Sequence, residues 1–107
     1  MNEFDEQQRI KIAGYLGIAQ KAGRIAAGDN NVREALKKKK VKLLVLAQDA
    51  SGQIKEELTL LANEQGIGII YWPSKLDLGL VVGKSRRGAV GVLDLGFARA
   101  INKITKI

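Results

Sequence analysis

Cysteine and histidine are both absent from the 107 residues, and each absence removes a class of chemistry. Without Cys there is no disulfide and no thiolate nucleophile; without His there is also no imidazole base and none of the common zinc ligand sets. A secreted module held by disulfides is excluded. Proline occurs once and aromatic residues make up 5% of the chain. No run approaches the ~18 apolar residues of a membrane-spanning helix. The amino terminus carries Glu3, Asp5 and Glu6 with no apolar export segment. The expected compartment is the cytoplasm.

Catalysis is hard to staff from what is left. No serine stands in a G-x-S-x-G turn or an S-x-x-K pair. The 12 glycines form neither of the glycine-rich patterns that cradle nucleotide phosphates. Asp49 follows a strand, where α/β folds place working residues, but Asp at such a point reads first as capping or preceding the third helix. Glu56 and Glu57 are adjacent on a helix, point in different directions and read as solvated surface. No enzyme, cofactor or metal site is expected.

What the chain has in excess is positive charge. Eighteen Lys and Arg against 11 Asp and Glu give a formal charge of +7 and a pI near 9.9, a balance that favours polyanionic partners. Between residues 24 and 42, seven basic side chains meet two acidic ones, leaving +5 in under a fifth of the length. A second basic point is the loop of Lys84, Ser85, Arg86 and Arg87. Aromatics are too few for a base-stacking platform, and Tyr71 and Trp72, neighbours on a strand, should face opposite sides. Recognition by shape and backbone is favoured over stacking.

Periodicity sets out the elements. Residues 5–22 place Ile12, Tyr15, Leu16, Ala19 and Ala22 at helical spacing, and Gly23 supplies a stop. Residues 24–27 form a short strand broken by Gly28. Val32, Ala35 and Leu36 mark the buried stripe of a second helix from Asp29 to about Lys39. Residues 41–47 are a nearly unbroken apolar run, the pattern of a strand covered on both faces. Ser51 caps a third helix through Ile54, Leu58, Leu61 and Ala62, ended by Gly66. Residues 67–72 give a third strand closed by Pro73. Ser74 and Asp77 suit a capping box for a short fourth helix through Leu76, Leu80 and Val81. After the loop at 83–88, residues 89–93 form a fourth strand. Asp94 then caps a last helix with Phe97, Ile101 and Ile104 inward and Arg99, Lys103 and Lys106 in water. The alternation predicts one domain over residues 1–107, an α/β/α three-layer sandwich on a small mixed sheet of about four strands.

The chain is organised around residues 28–49. Gly28, Asp29, Asn30 and Asn31 offer a helix start whose free N–H groups suit a nucleic-acid backbone, with two amides able to pair with base edges. The same residues also serve as an ordinary turn and N-cap. Arg33, Lys37 and Lys38, with Lys84, Ser85, Arg86 and Arg87, are the further candidates for RNA contact. Cations at a helix C-terminus complement its dipole, but four in succession at 37–40 exceed that need. The alternative is a protein-binding adaptor that takes an acidic partner on the same charge.

Three stretches keep one register with a known family: Tyr15-Leu16-Gly17-Ile18-Ala19-Gln20-Lys21-Ala22-Gly23-Arg24, then Ala27-Gly28-Asp29-Asn30-Asn31, then Leu43-Leu44-Val45-Leu46-Ala47-Gln48-Asp49-Ala50. Leu78-Gly79 and Val82-Gly83-Lys84 follow in order. The chain resembles the ribosomal-protein family of kink-turn RNA binders, nearest to its small bacterial YlxQ-like members. The resemblance implies an α/β/α sandwich and a non-catalytic, ribosome-associated role. It also implies that the start of the second helix enters the widened groove of a kinked RNA, with an Asn-Glu pair beside sheared G·A pairs. Asn30 matches the Asn; Asn31 stands where Glu is usual, and Glu34 where Lys is usual. In the family the loop matching residues 82–88 covers an extruded nucleotide. Here Lys84, Arg86 and Arg87 make it basic, which shifts weight toward phosphate contacts.

Overall fold

Each helix begins where the sequence supplies an acceptor, or a glycine, for its first unsatisfied N–H groups. The computed structural model describes residues 4–105; Glu3 and Lys106, named above, lie outside them. Helix α1 (Glu6–Lys21) opens on a reciprocal capping box: Asp5 Oδ1 accepts from Gln8 N at 2.8 Å while Gln8 Oε1 accepts from Asp5 N at 3.0 Å. Strand β1 (Ile25–Ala27) leads into α2 (Asp29–Lys37), then β2 (Leu43–Ala47). Ser51 caps α3 (Gly52–Glu64) by accepting from Ile54 N. After β3 (Gly68–Trp72), Ser74 caps α4 (Lys75–Val81). Strand β4 (Ala89–Val92) is followed by α5 (Leu95–Thr105), whose first turn is held by Asp94 Oδ1 accepting from Phe97 N at 3.0 Å.

The four strands lie in the order β1-β4-β2-β3. β2 and β3 are parallel, whereas β4 runs antiparallel to both β1 and β2, so the sheet is mixed. β2 is central and every one of its five residues is sealed from solvent. Its side chains alternate. Leu43, Val45 and Ala47 join a core with Ile12 and Leu16 of α1, Leu78 of α4 and Ile101 of α5. Leu44 and Leu46 join a second core with Val32 and Leu36 of α2 and Leu58 of α3. The three-layer sandwich follows, with α1, α4 and α5 over one face and α2 and α3 over the other. Trp72 belongs to the first core and Tyr71 packs against the second, on opposite sides as expected. No helix among the described residues is long and apolar enough to cross a membrane.

Several local expectations are corrected. The seam of α1 is narrower than its periodicity suggested: Ile12, Leu16 and Ala19 are buried, but Tyr15 and Ala22 are exposed. Successive helical residues turn by roughly 100°, so Tyr15 falls beside the seam rather than in it. In α4, Leu76 and Leu80 face solvent at 50% and 65% exposure, and Leu78 takes the buried place. A Cβ on neighbouring Gly79 would run into the Ser85 carbonyl, so the following loop lies against Gly79 and fixes which face turns inward. Helix α2 stops at Lys37, not near Lys39. Lys39 N donates to Leu36 O and Lys40 N to Ala35 O, the two bonds of a Schellman ending. Lys39 occupies the left-handed position at φ 59, where glycine is preferred because a Cβ costs roughly 1–2 kcal/mol.

Candidate nucleic-acid interface

One end of the sandwich is assembled from the start of α2, the C-terminal end of β2, the start of α4 and the loop at 83–88. Gly28 ties these together. Its N–H donates to Ala89 O at 2.9 Å, so the strand ladder runs up to the first turn of α2. At φ 100 and ψ 155 it lies where L residues rarely go. With no side chain to cap the helix, the first N–H groups of α2 have no partner within the helix, while Asp29 in the first turn places a negative charge by the positive end of its dipole. The Arg87 side chain lies across Gly28, with Cδ 3.6 Å and Nε 3.7 Å from where a Cβ would stand.

The two asparagines are held in opposite senses. Asn31 Nδ2 donates to Ala27 O at 3.0 Å, which commits one of its two amide N–H donors to the protein and leaves Oδ1 free to accept. Asn30 Oδ1 instead accepts from Arg33 Nη1 at 2.6 Å, leaving its amide N–H groups to donate. The exposed pair therefore presents one donor and one acceptor side by side. Arg33 was expected to face phosphates, but its guanidinium is committed elsewhere. Nε and Nη2 grip Glu57 Oε2 and Oε1 at 2.6 and 3.0 Å, a two-pronged pair. That hydrogen bond raises the Arg33 pKa and holds the Glu57 carboxyl below its ordinary range. Glu57 is thus no solvated bystander: with Arg33 it braces Asn30.

The basic loop is anchored by its backbone. Lys84 N donates to Gly79 O at 2.8 Å, Arg87 N to Lys75 O at 3.0 Å, and Gly88 O accepts from Ala47 N at 2.9 Å. Arg87 Nη1 also donates to Ser85 Oγ and to Arg86 O at 2.8 and 2.9 Å. Gly88 sits in a tight place: a Cβ there would come within 3.1 Å of Asp29 Oδ1 and 3.3 Å of Ala50 Cβ, so these side chains would have to give way to a larger residue. Lys84, Ser85 and Arg86 remain exposed. Asn31, Lys84 and Arg87 open with Gln20 of α1 onto a shared cleft of about 420 Å³.

Not every candidate joins this end. Lys37 and Lys38 lie seven and eight residues along α2 from Asn30, about 10–12 Å at 1.5 Å per residue, and Lys38 pairs with Glu34 at 3.2 Å. The lysine run therefore lies at the opposite end of α2 from the helix start, with the recess shared by Asn30, Lys37 and Lys38 between them. Asp49 precedes the third helix, as one reading had it, but does not cap it: its Oδ1 accepts from Lys75 N at 2.7 Å, at the start of α4. Gln20, Lys75 and Glu57 were given no role at the site by the sequence. Each reaches it through contacts far along the chain, and no local pattern announces them. Among the described residues no cluster of potential metal ligands occurs.

A mixed four-stranded sheet between two helical layers, with the Arg87 side chain laid over the glycine that starts α2, makes this a small α/β/α sandwich protein with a basic end. Residues 10–102 match the profile of the Ribosomal protein L7Ae/L30e/S12e/Gadd45 family, and the chain belongs to that family. It is 33% identical over 87 residues to the large ribosomal subunit protein eL8 of Cenarchaeum symbiosum, covering 80% of this chain and 69% of that protein. It is 30% identical over 86 residues to the RNA-binding protein YlxQ of Bacillus subtilis, covering 80% and 86% respectively. Among solved structures, a Bacillus halodurans protein of unknown function superposes with a TM-score of 0.84 at 28% identity, over 91% of this chain and 98% of that one. The Giardia lamblia 15.5kD RNA binding protein shares the fold, with a TM-score of 0.83 at 19% identity over 96% and 91%.

Proposed function

We propose that this chain is a non-catalytic, ribosome-associated protein that binds kinked or bulged RNA through the start of α2 and the loop at 84–87. The observation that carries the reading is the oriented pair: Asn30 held as donor by Arg33, and Asn31 held as acceptor by Ala27 O. An RNA helix opened at a kink exposes base edges that need both, and the family places an Asn-Glu pair there. Asn31 lacks the charge of Glu but turns the same kind of oxygen outward. Around this pair the open N–H groups of α2, with Lys84, Arg86 and Arg87, supply the phosphate contacts that set position. The Glu34 departure is softened, because its charge is matched by Lys38.

The test is a binding series on a kink-turn RNA and a straight duplex of the same length. The wild-type chain should prefer the kinked RNA. Base-edge contacts typically contribute about 1–3 kcal/mol of discrimination, so Asn30→Ala combined with Asn31→Ala should reduce the preference on the order of tenfold or more. Equal wild-type affinity for both RNAs would remove the shape-specific part of the proposal. A chain that binds an acidic protein but neither RNA would favour the adaptor reading.

A further inference from the structure

Five of the six residues from 37 to 42 are lysine, and all five are exposed around the buried Val41. They stand at the far end of α2 and of β2 from the site above. Lys42 N donates to Val92 O at 2.7 Å at one end of the sheet, while Ala47 N meets Gly88 O at the other. Five residue steps at about 3.3 Å each put the two surfaces about 16–17 Å apart.

Complementing the helix dipole does not account for this run. Three of the last four carbonyls of α2 already have partners: Glu34 O accepts from Lys38 N, Ala35 O from Lys40 N, and Leu36 O from both Lys39 N and Gln65 Nε2 at 2.9 and 2.7 Å. No lysine ammonium is needed there. Of these five lysines only Lys38 forms an ion pair with a described residue, Glu34. Glu64 is the nearby counter-charge, sharing with Lys39 and Lys42 a polar recess of about 670 Å³. Lys39 moreover holds the left-handed turn position that favours glycine, so a charge is kept where the backbone would do better without a side chain. Lys37 and Lys38 also share with Asn30 a shallow recess of about 400 Å³ along the outer face of α2. That face links the two ends.

From this arrangement we infer that Lys37, Lys39, Lys40 and Lys42 form a second phosphate-binding surface, which grips the backbone of an RNA stem running along α2 from the first site. The inference rests on the RNA reading above. A stem favours this surface over an acidic protein because five exposed lysines within six residues are spaced along a helix end and a turn, and of the five only Lys38 is paired with a carboxylate, which suits the regular phosphates of a nucleic-acid backbone. The contact is independent of base sequence, and it makes the grip bivalent.

The experiment uses the full chain carrying Lys39→Gly, Lys40→Gln and Lys42→Gln, with three probes: a kink-turn RNA with long stems, the same RNA trimmed close to the kink, and polyglutamate. Glycine at 39 removes a charge while suiting the turn, so an unchanged or higher melting temperature separates lost contact from lost fold. The variant should bind the long-stem RNA about tenfold more weakly near 0.1 M salt, and the slope of log affinity against log salt should become shallower by about two. Binding to the trimmed RNA should stay within twofold of wild type. Unchanged affinity and slope on the long-stem RNA would overturn the second surface. So would loss confined to polyglutamate, which would reassign the surface to acidic protein. Failure of the first site looks different: no wild-type preference for kinked over straight RNA, with the lysine variant still losing affinity for long stems.

Discussion

Replacing Gly28 by alanine asks whether the start of α2 is held in a conformation that only glycine adopts readily. At φ 100 and ψ 155 an L residue is strained by on the order of 1–3 kcal/mol. The added methyl would meet the Arg87 side chain at 3.6–3.7 Å, an ordinary contact, so the loss is backbone strain and not collision. Gly14→Ala in α1 is the control. Nothing lies within 4 Å of a Cβ there, and alanine in a helix interior is favoured over glycine by roughly 0.5–1 kcal/mol. The two variants should therefore separate by roughly 1.5–4 kcal/mol in urea denaturation. At about 4–8 °C per kcal/mol for a domain of this size, that is roughly 6–30 °C in melting temperature. A Gly28→Ala chain within about 0.5 kcal/mol of wild type would refute the claim that this backbone conformation shapes the site.

Three further outcomes follow from other contacts. Gly79→Ala drives a Cβ into the Ser85 carbonyl and must displace the 84–87 loop. RNA affinity should fall in a gel-shift titration although residue 79 is itself buried, and unchanged affinity would detach the loop from binding. Glu57→Gln releases Arg33 and with it Asn30, and should weaken the preference for kinked RNA while affinity for straight duplex holds. The Glu57 carboxyl is held below its ordinary 4.5 chiefly by the Arg33 hydrogen bond. Its stabilising contribution is therefore complete above about pH 4.5 and is lost as pH falls through the lowered value. Melting temperatures taken down to pH 3 should show Glu57→Gln without that part of the acid loss; parallel curves would count against the brace. Leu44→Ala, in the sealed central strand, should cost about 2–5 kcal/mol, and a loss below 1 kcal/mol would mean that the second core repacks freely.

The layers were legible because burial writes itself locally. The unbroken apolar run of β2 required cover on both faces, and Ser51, Ser74 and Asp94 marked helix starts that the structure keeps. Charge was harder to place. Counting lysines and arginines along residues 24–42 merged two ends of one helix that 1.5 Å of rise per residue holds apart. Pairings across long sequence separations left no local trace: Arg33 meets Glu57 24 residues on, and Asp49 meets the Lys75 amide 26 residues on. A lone arginine beside a helix start looks like a phosphate ligand until its partner is seen. The proximity of Gly28 to Arg87 likewise depends on β4 lying between β1 and β2.

The most direct measurement is an amide NMR titration of the chain with a kink-turn RNA. The account predicts that the early shift changes cluster at residues 28–31 and 84–88, with Asn30 and Asn31 side-chain amides among them. Longer stems should add residues 37–42. Shifts centred on the outer faces of α1 and α5, with residues 28–31 unmoved, would contradict it.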